Sequence, residues 1–96
     1  MKLLKDILYK TGIVNVVGST QVAVEKICFD SREVKKLSLF VAVKGTQVDG
    51  HQFITLAIEK GAQAIICQFL PETLVEGVTY VEVDNSSNAL GIIASN

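Results

Sequence analysis

Two short polar segments carry the side chains best suited to bind a small polar ligand. The first is Cys28-Phe29-Asp30-Ser31-Arg32, and the second is Gly45-Thr46-Gln47-Val48-Asp49-Gly50-His51. Short polar side chains beside free backbone amides can hydrogen-bond a heterocycle, a ribose or a phosphate. We therefore predict a ligand site built from both segments.

Each segment also has a purely structural interpretation, which the residues alone favour. Asp30-Ser31-Arg32 can be a simple turn, in which Asp30 accepts backbone amides and Arg32 pairs with Asp30. Gly45 and Gly50 can serve only to permit positive φ, and Asp49 can serve only as a helix cap. His51 is expected to contact the loop from a first helical turn, and not to act as a catalytic base or metal ligand.

The remaining reactive side chains form no pattern typical of catalysis or metal binding. No paired carboxylates, Cys/His pair or serine with a base emerges, and Gly45-Thr46 is not followed by the lysine of a phosphate-binding loop. Cys28 and Cys67 each lie in an apolar stretch with no second ligand at metal spacing, so we expect two buried, reduced thiols.

Charge and hydropathy limit the partners and the location. Nine Lys and Arg against ten Asp and Glu give a net charge of −1, without the basic excess that nucleic-acid binding usually needs. No apolar run approaches the roughly 18 residues that span a bilayer. We expect neither a nucleic-acid nor a membrane partner, and a cytoplasmic location.

The apolar pattern predicts that residues 1–96 form one α/β domain, with a mixed, largely parallel sheet flanked by helices. Helices are expected near residues 3–8, 53–58 and 86–93, with Asp49 and Gln52 as a capping box for the second and Gly61 as its stop. One extended segment or two short strands should span 22–30, and further strands 39–43, 64–67 and 79–83. The strand–helix–strand unit should be a right-handed crossover with parallel strands, which places both polar segments at the carboxyl edge of the sheet.

The same two segments resemble the opening of the Mur ligases. The likeness rests on Asp30-Ser31-Arg32-Glu33-Val34, on the run from Leu39 to Ile54, which contains Asp49-Gly50-His51, and on the tail from Ala57 to Ala62. Where the family commonly has Pro-Gly before its strand, this chain has Lys36-Leu37-Ser38, which should alter only a turn. Within the family the chain is most similar to ligases that act on UDP-N-acetylmuramoyl-L-alanyl-D-glutamate, and the ligase that adds D-alanyl-D-alanine is the nearest rival.

The resemblance implies an N-terminal domain that binds the UDP moiety of the substrate for an ATP-dependent amide ligase of peptidoglycan synthesis. ATP and Mg²⁺ would bind the central domain of the parent enzyme, a C-terminal domain would present the third amino acid, and the fragment alone would not be catalytic. UDP contacts would come from Phe29, Ser31, Thr46, Gln47 and Val48, supported by Asp30, Arg32 and Asp49. A small-molecule-binding or protein-interaction module with no enzymatic role remains the alternative.

Overall fold

The computed structural model describes residues 2–45 and 47–95. Within them the chain forms seven strands, three α-helices and two 3₁₀ turns. In chain order these are β1 (Lys2–Leu3), α1 (Leu4–Ile7), β2 (Ile13–Val17), β3 (Ala23–Val24), β4 (Lys26–Cys28), the 3₁₀ turn Ser31–Glu33, β5 (Ser38–Val41), the 3₁₀ turn Gly50–Phe53, α2 (Ile54–Glu59), β6 (Ala62–Cys67), β7 (Thr79–Val83) and α3 (Ser86–Ser95).

The main sheet has five strands in the order β2-β7-β6-β5-β4. Its four strands from β4 to β7 run parallel, and β2 pairs antiparallel with β7 at one edge. β1 and β3 form a separate antiparallel pair. The prediction of a mixed, largely parallel sheet is confirmed, including the parallel pairing of the two strands that α2 connects.

Alternating side chains of β5, and of Ala42 directly after it, enter different cores on the two faces of the sheet. Leu39 and Val41 belong to a buried cluster with α1 and α3, whereas Phe40 and Ala42 belong to a second cluster with α2. A strand buried on both faces is a continuous apolar run, as in the sequence from Leu39 to Val43. The sheet therefore lies between two helical layers, and its carboxyl edge is left for loops.

Several elements differ from the predictions in extent. α1 has only four residues, and the chain leaves it through Lys10, which adopts a φ of 64°. β2 was not predicted because its residues are half-buried or exposed at the sheet edge, with no clean alternation. The predicted capping box of Asp49 and Gln52 is wrong. Asp49 caps the 3₁₀ turn Gly50–Phe53 by accepting the backbone N–H of His51, and α2 begins after that turn, at Ile54.

The turn before β5 packs against the end of α2. Gly61 adopts a φ of +115° and ends α2 as predicted, and a Cβ on it would lie 3.0 Å from the backbone of Lys36. Leu37 occupies the left-handed region at φ 62°, at the place where the family pattern has glycine. That the departure from the family alters only a turn stays a prediction.

Two further properties concern the cysteines and the helices. Cys28 and Cys67 are both buried and free, as predicted, and burial raises the pKa of Cys67 to about 11. Throughout the described ranges, no helix is long and apolar enough to cross a bilayer.

Candidate functional site

A groove of about 620 Å³ opens at the carboxyl ends of β4 and β5, which are neighbours in the sheet. Its walls come from the segment after β4, from the loop after β5 and from the start of α2. We call this cavity the strand-end groove; it is lined by Phe29, Asp30, Ser31, Arg32, Val43, Gly45, Val48, Gly50, Phe53 and Leu56.

Asp30 organises the segment after β4. Its carboxylate accepts the backbone N–H of Arg32 at 2.9 Å, and the Arg32 guanidinium donates to it from Nε at 3.0 Å and from Nη2 at 2.7 Å. These bonds, the side-chain one first, lower the pKa of Asp30 to about 2. The turn predicted from the residues alone is therefore present, and Ser31 is buried inside it.

Backbone hydrogen bonds fold the loop after β5 into a narrow hairpin. Gly45 N–H donates to Val48 O at 3.0 Å, and Gly50 N–H donates to Val43 O at 2.8 Å. The expectation that Gly45 and Gly50 need positive φ is wrong. Glycine is required at 50 because a Cβ there would lie 2.8 Å from the nitrogen of Val43, and at 45 because a Cβ would lie 2.8 Å from Val48 O.

His51 uses both ring nitrogens within the protein. Nδ1 lies 2.6 Å from Asp49 Oδ1, and Nε2 accepts the backbone N–H of Gln68 at 2.9 Å. Asp49 Oδ1 also accepts the backbone N–H of His51 at 3.0 Å, and these two bonds lower the pKa of Asp49. His51 therefore contacts the loop, as predicted, and has no nitrogen left for a substrate proton or a metal.

The residues predicted to contact UDP are only partly brought together. Phe29, Ser31 and Val48 line the strand-end groove, with Phe29 and Val48 more than half exposed. Gln47 is exposed on the same loop but is not among the lining residues. Thr46 lies outside the described residues. Of the three supporting residues, Asp30 and Arg32 line the groove. Asp49 does not line it and instead hydrogen-bonds His51 within the loop.

Three apolar residues of the lining were not among those predicted from the sequence. Val43, Phe53 and Leu56 present hydrocarbon to the strand-end groove. Phe53 and Leu56 are three residues apart across the start of α2, a spacing that places both side chains on one face of a helix.

The lining suits a planar, partly polar ligand, because an apolar surface with few hydrogen-bonding groups both buries and orients such a molecule. Between residues 2 and 45 and between 47 and 95, no group of three or more His, Cys, Asp or Glu could hold a metal ion.

Comparison with known proteins identifies relatives of one family. The family described as "Mur ligase family, catalytic domain" matches residues 23–96. The UDP-N-acetylmuramoyl-L-alanyl-D-glutamate--2,6-diaminopimelate ligase of Cytophaga hutchinsonii is 49% identical over 94 residues, which are 97% of this chain and 19% of that protein. The ligase of the same name from Clostridium tetani is 40% identical over 95 residues, 97% of this chain and 20% of that protein.

Solved structures give the same family from the fold. The MurF ligase of Thermotoga maritima in complex with ADP matches with a TM-score of 0.64 and 34% identity, over 73% of this chain and 16% of that one. The UDP-N-acetylmuramoylalanyl-D-glutamyl-2,6-diaminopimelate--D-alanyl-D-alanyl ligase of Acinetobacter baumannii matches with a TM-score of 0.63 and 26% identity, over 72% and 15% of the two chains.

This chain spans about a fifth of the length of the curated relatives that it matches. The family match covers most of its residues, and the diaminopimelate ligases align with nearly all of it at identities up to 49%. On this evidence the chain belongs to the Mur ligase family.

Proposed function

We propose that this chain is the N-terminal domain of a Mur ligase and that it binds the UDP moiety of UDP-N-acetylmuramoyl-L-alanyl-D-glutamate. One observation carries the proposal. The strand-end groove is lined by the Asp30-Ser31-Arg32 segment and by the loop that leads into Asp49-Gly50-His51, the two segments that carry the family resemblance. Phe29 and Val48 offer apolar contact to a uracil ring, and Ser31 offers a hydroxyl to the nucleoside.

The parent enzyme would add the third amino acid to the muramyl peptide in an ATP-dependent reaction. Relatives that are 40–49% identical to this chain are named for 2,6-diaminopimelate, which makes that amino acid the expected substrate of the parent. We expect no catalysis from the isolated chain, because its candidate site offers no group that would activate a carboxylate. The central and C-terminal domains of the parent would supply that chemistry.

The solved relatives favour a second candidate, the ligase that adds D-alanyl-D-alanine. The MurF ligase of Thermotoga maritima is 34% identical over 73% of this chain, whereas the diaminopimelate ligase of Cytophaga hutchinsonii is 49% identical over 97%. We therefore prefer the diaminopimelate ligase. The names of both kinds of relative contain a UDP-linked muramoyl peptide, so the role proposed for the strand-end groove is the same in either case.

A nitrogen-15 NMR titration of the chain with UDP, with UMP and AMP as comparisons, tests the proposal. We expect the amides of Ser31, Gln47 and Val48 to shift with UDP and UMP but not with AMP, at ligand concentrations near the millimolar range, where about 4 kcal/mol of binding free energy remains. Equal shifts with AMP would contradict uridine recognition. No shift with any nucleotide, in this chain and in the full-length parent alike, would refute the proposed site.

A further inference from the structure

A chain of hydrogen bonds connects the loop after β5 with the ends of two other strands. Asp49 bonds the imidazole of His51, and that ring accepts the backbone N–H of Gln68, the first residue after β6. The side chain of Gln68 then accepts the backbone N–H of Ser86, the first residue of α3, at 2.9 Å. This series of hydrogen bonds thus crosses the carboxyl edge of the sheet from the α2 side to α3.

The backbone partner determines which nitrogen of His51 carries the proton. A backbone N–H can only donate, so Nε2 of His51 must supply a lone pair to Gln68. The proton of the neutral ring is therefore on Nδ1, where it points at the carboxylate of Asp49. That carboxylate is ionised near neutral pH and can only accept.

These bonds hold the loop that forms one wall of the strand-end groove. Asp49 forms an isolated antiparallel bridge with Lys44, and inside that bridge Gly45 bonds Val48. Gly45 and Val48 both line the groove. Fixing Asp49 to the end of β6 through His51 therefore fixes the hairpin that presents those two residues.

Packing protects the imidazole from water. The side chain of His51 is only 13% exposed, and the Phe69 ring packs beside it, tilted by 52°, with centroids 5.4 Å apart. A hydrogen bond shielded from solvent is more costly to lose than an exposed one, because water cannot replace the missing partner.

We propose that His51 is a positioning residue for the nucleotide site, acting as the Nδ1-protonated neutral ring that ties Asp49 to Gln68. This inference rests on the proposed function of the strand-end groove, but its structural part can be tested without any nucleotide. His51 touches no ligand in this scheme; it acts through the shape of the loop.

The first test reads the hydrogen bond directly in the unaltered chain. Nitrogen-15 NMR of the imidazole at neutral pH should show a protonated Nδ1 and an unprotonated Nε2. A scalar coupling across the hydrogen bond should link Nε2 to the amide nitrogen of Gln68. A proton on Nε2, or no coupling to Gln68, would overturn the proposal without recourse to a variant.

The second test uses His51→Phe, which keeps a ring against Phe69 but removes both side-chain hydrogen bonds. We expect the amides of Gly45 and Gly50 to exchange with solvent on the order of tenfold faster, as the loss of two such bonds allows. Gln63→Ala, at an exposed position of β6, is the control and should leave both rates unchanged. Unchanged exchange in His51→Phe would contradict the proposal.

A third test separates this inference from the proposed function. His51→Phe should weaken UDP binding several-fold, whereas Asp49→Asn should keep most of the affinity, because an amide oxygen can accept the same two bonds. Equal UDP affinity in the unaltered chain and in His51→Phe would overturn the positioning role alone. If neither the chain nor the full-length parent binds UDP, the proposed function fails, whereas the coupling and the exchange rates still decide whether His51 holds the loop.

Discussion

Asp30 and Asp49 make matching hydrogen bonds in the segments that follow two neighbouring strands, β4 and β5. Each accepts the backbone N–H of the residue two positions later and also bonds the side chain of that residue, Arg32 in one case and His51 in the other. Each also caps the 3₁₀ turn that follows it. The two aspartates therefore shape the two segments that border the strand-end groove, and their supporting role in UDP binding stays a prediction.

The charge of Asp30 should make its turn sensitive to acid. Its pKa is lowered from 3.8 to about 2, so its contribution to stability is complete above pH 3.8 and is lost as the pH falls through about 2. Carbon-13 NMR of the carboxyl group should show this titration directly. In Arg32→Ala the pKa of Asp30 should rise but stay below 3.8, because the hydrogen bond from the backbone N–H of residue 32 remains. A pKa equal to that of the unaltered chain would show that the Arg32 side chain does not lower it.

Gly50 and Gly91 should respond in opposite ways to the same substitution. Gly50→Ala forces a Cβ against Val43 and should lower the free energy of unfolding by about 1–3 kcal/mol. Gly91→Ala adds a methyl group that meets no atom within 4 Å on α3. It should raise the free energy of unfolding by about 0.5–1 kcal/mol, because alanine favours a helix more than glycine does. Urea unfolding of both variants measures the difference; a neutral Gly50→Ala would show that the loop after β5 can relax.

At the level of elements, the sequence predicted most accurately what local patterning controls. The buried run from Leu39 to Val43 and the glycine stop at Gly61 lie close to their predicted places. The edge strand β2 was missed because its pairing with β7 is a contact between distant parts of the chain. β5 ends two residues earlier than predicted, where the chain turns into the hairpin that Gly50 closes onto Val43.

Because β5 is buried on both faces of the sheet, shortening one of its side chains should greatly lower the free energy of unfolding. Leu39 is fully buried in the cluster that joins the sheet to α1 and α3. Leu39→Ala should therefore lower the free energy of unfolding by about 2–5 kcal/mol, through lost burial and the cavity left behind. Val14→Ala, on the exposed edge strand, is the control and should stay within about 0.5 kcal/mol. Similar losses in both variants, measured by chemical unfolding, would contradict the two-faced core.

At the level of the whole molecule, the location of the candidate site could be predicted from the sheet topology, but the full set of its lining residues could not. Parallel strands align their carboxyl ends, so the segments after β4 and β5 were expected to meet. Val43 and Leu56 join them only through the way α2 packs beside the loop, and Gln68 reaches His51 from 17 residues away. Such contacts cannot be predicted from a single sequence, because any apolar residue or backbone amide could make them.

Uridine recognition by an isolated domain should appear as stabilisation of the whole fold. If the dissociation constant for UDP is near 1 mM, then 10 mM ligand adds about 1.4 kcal/mol to the free energy of unfolding, because only the folded chain binds. For a domain of this size that corresponds to a rise in Tm of several degrees, on the order of 6–10 °C. ADP carries the same phosphates on a different base, so it controls for ionic effects and should change Tm little. Equal shifts with both nucleotides would assign the binding to phosphate alone and remove the argument for a uracil contact at Phe29 and Val48.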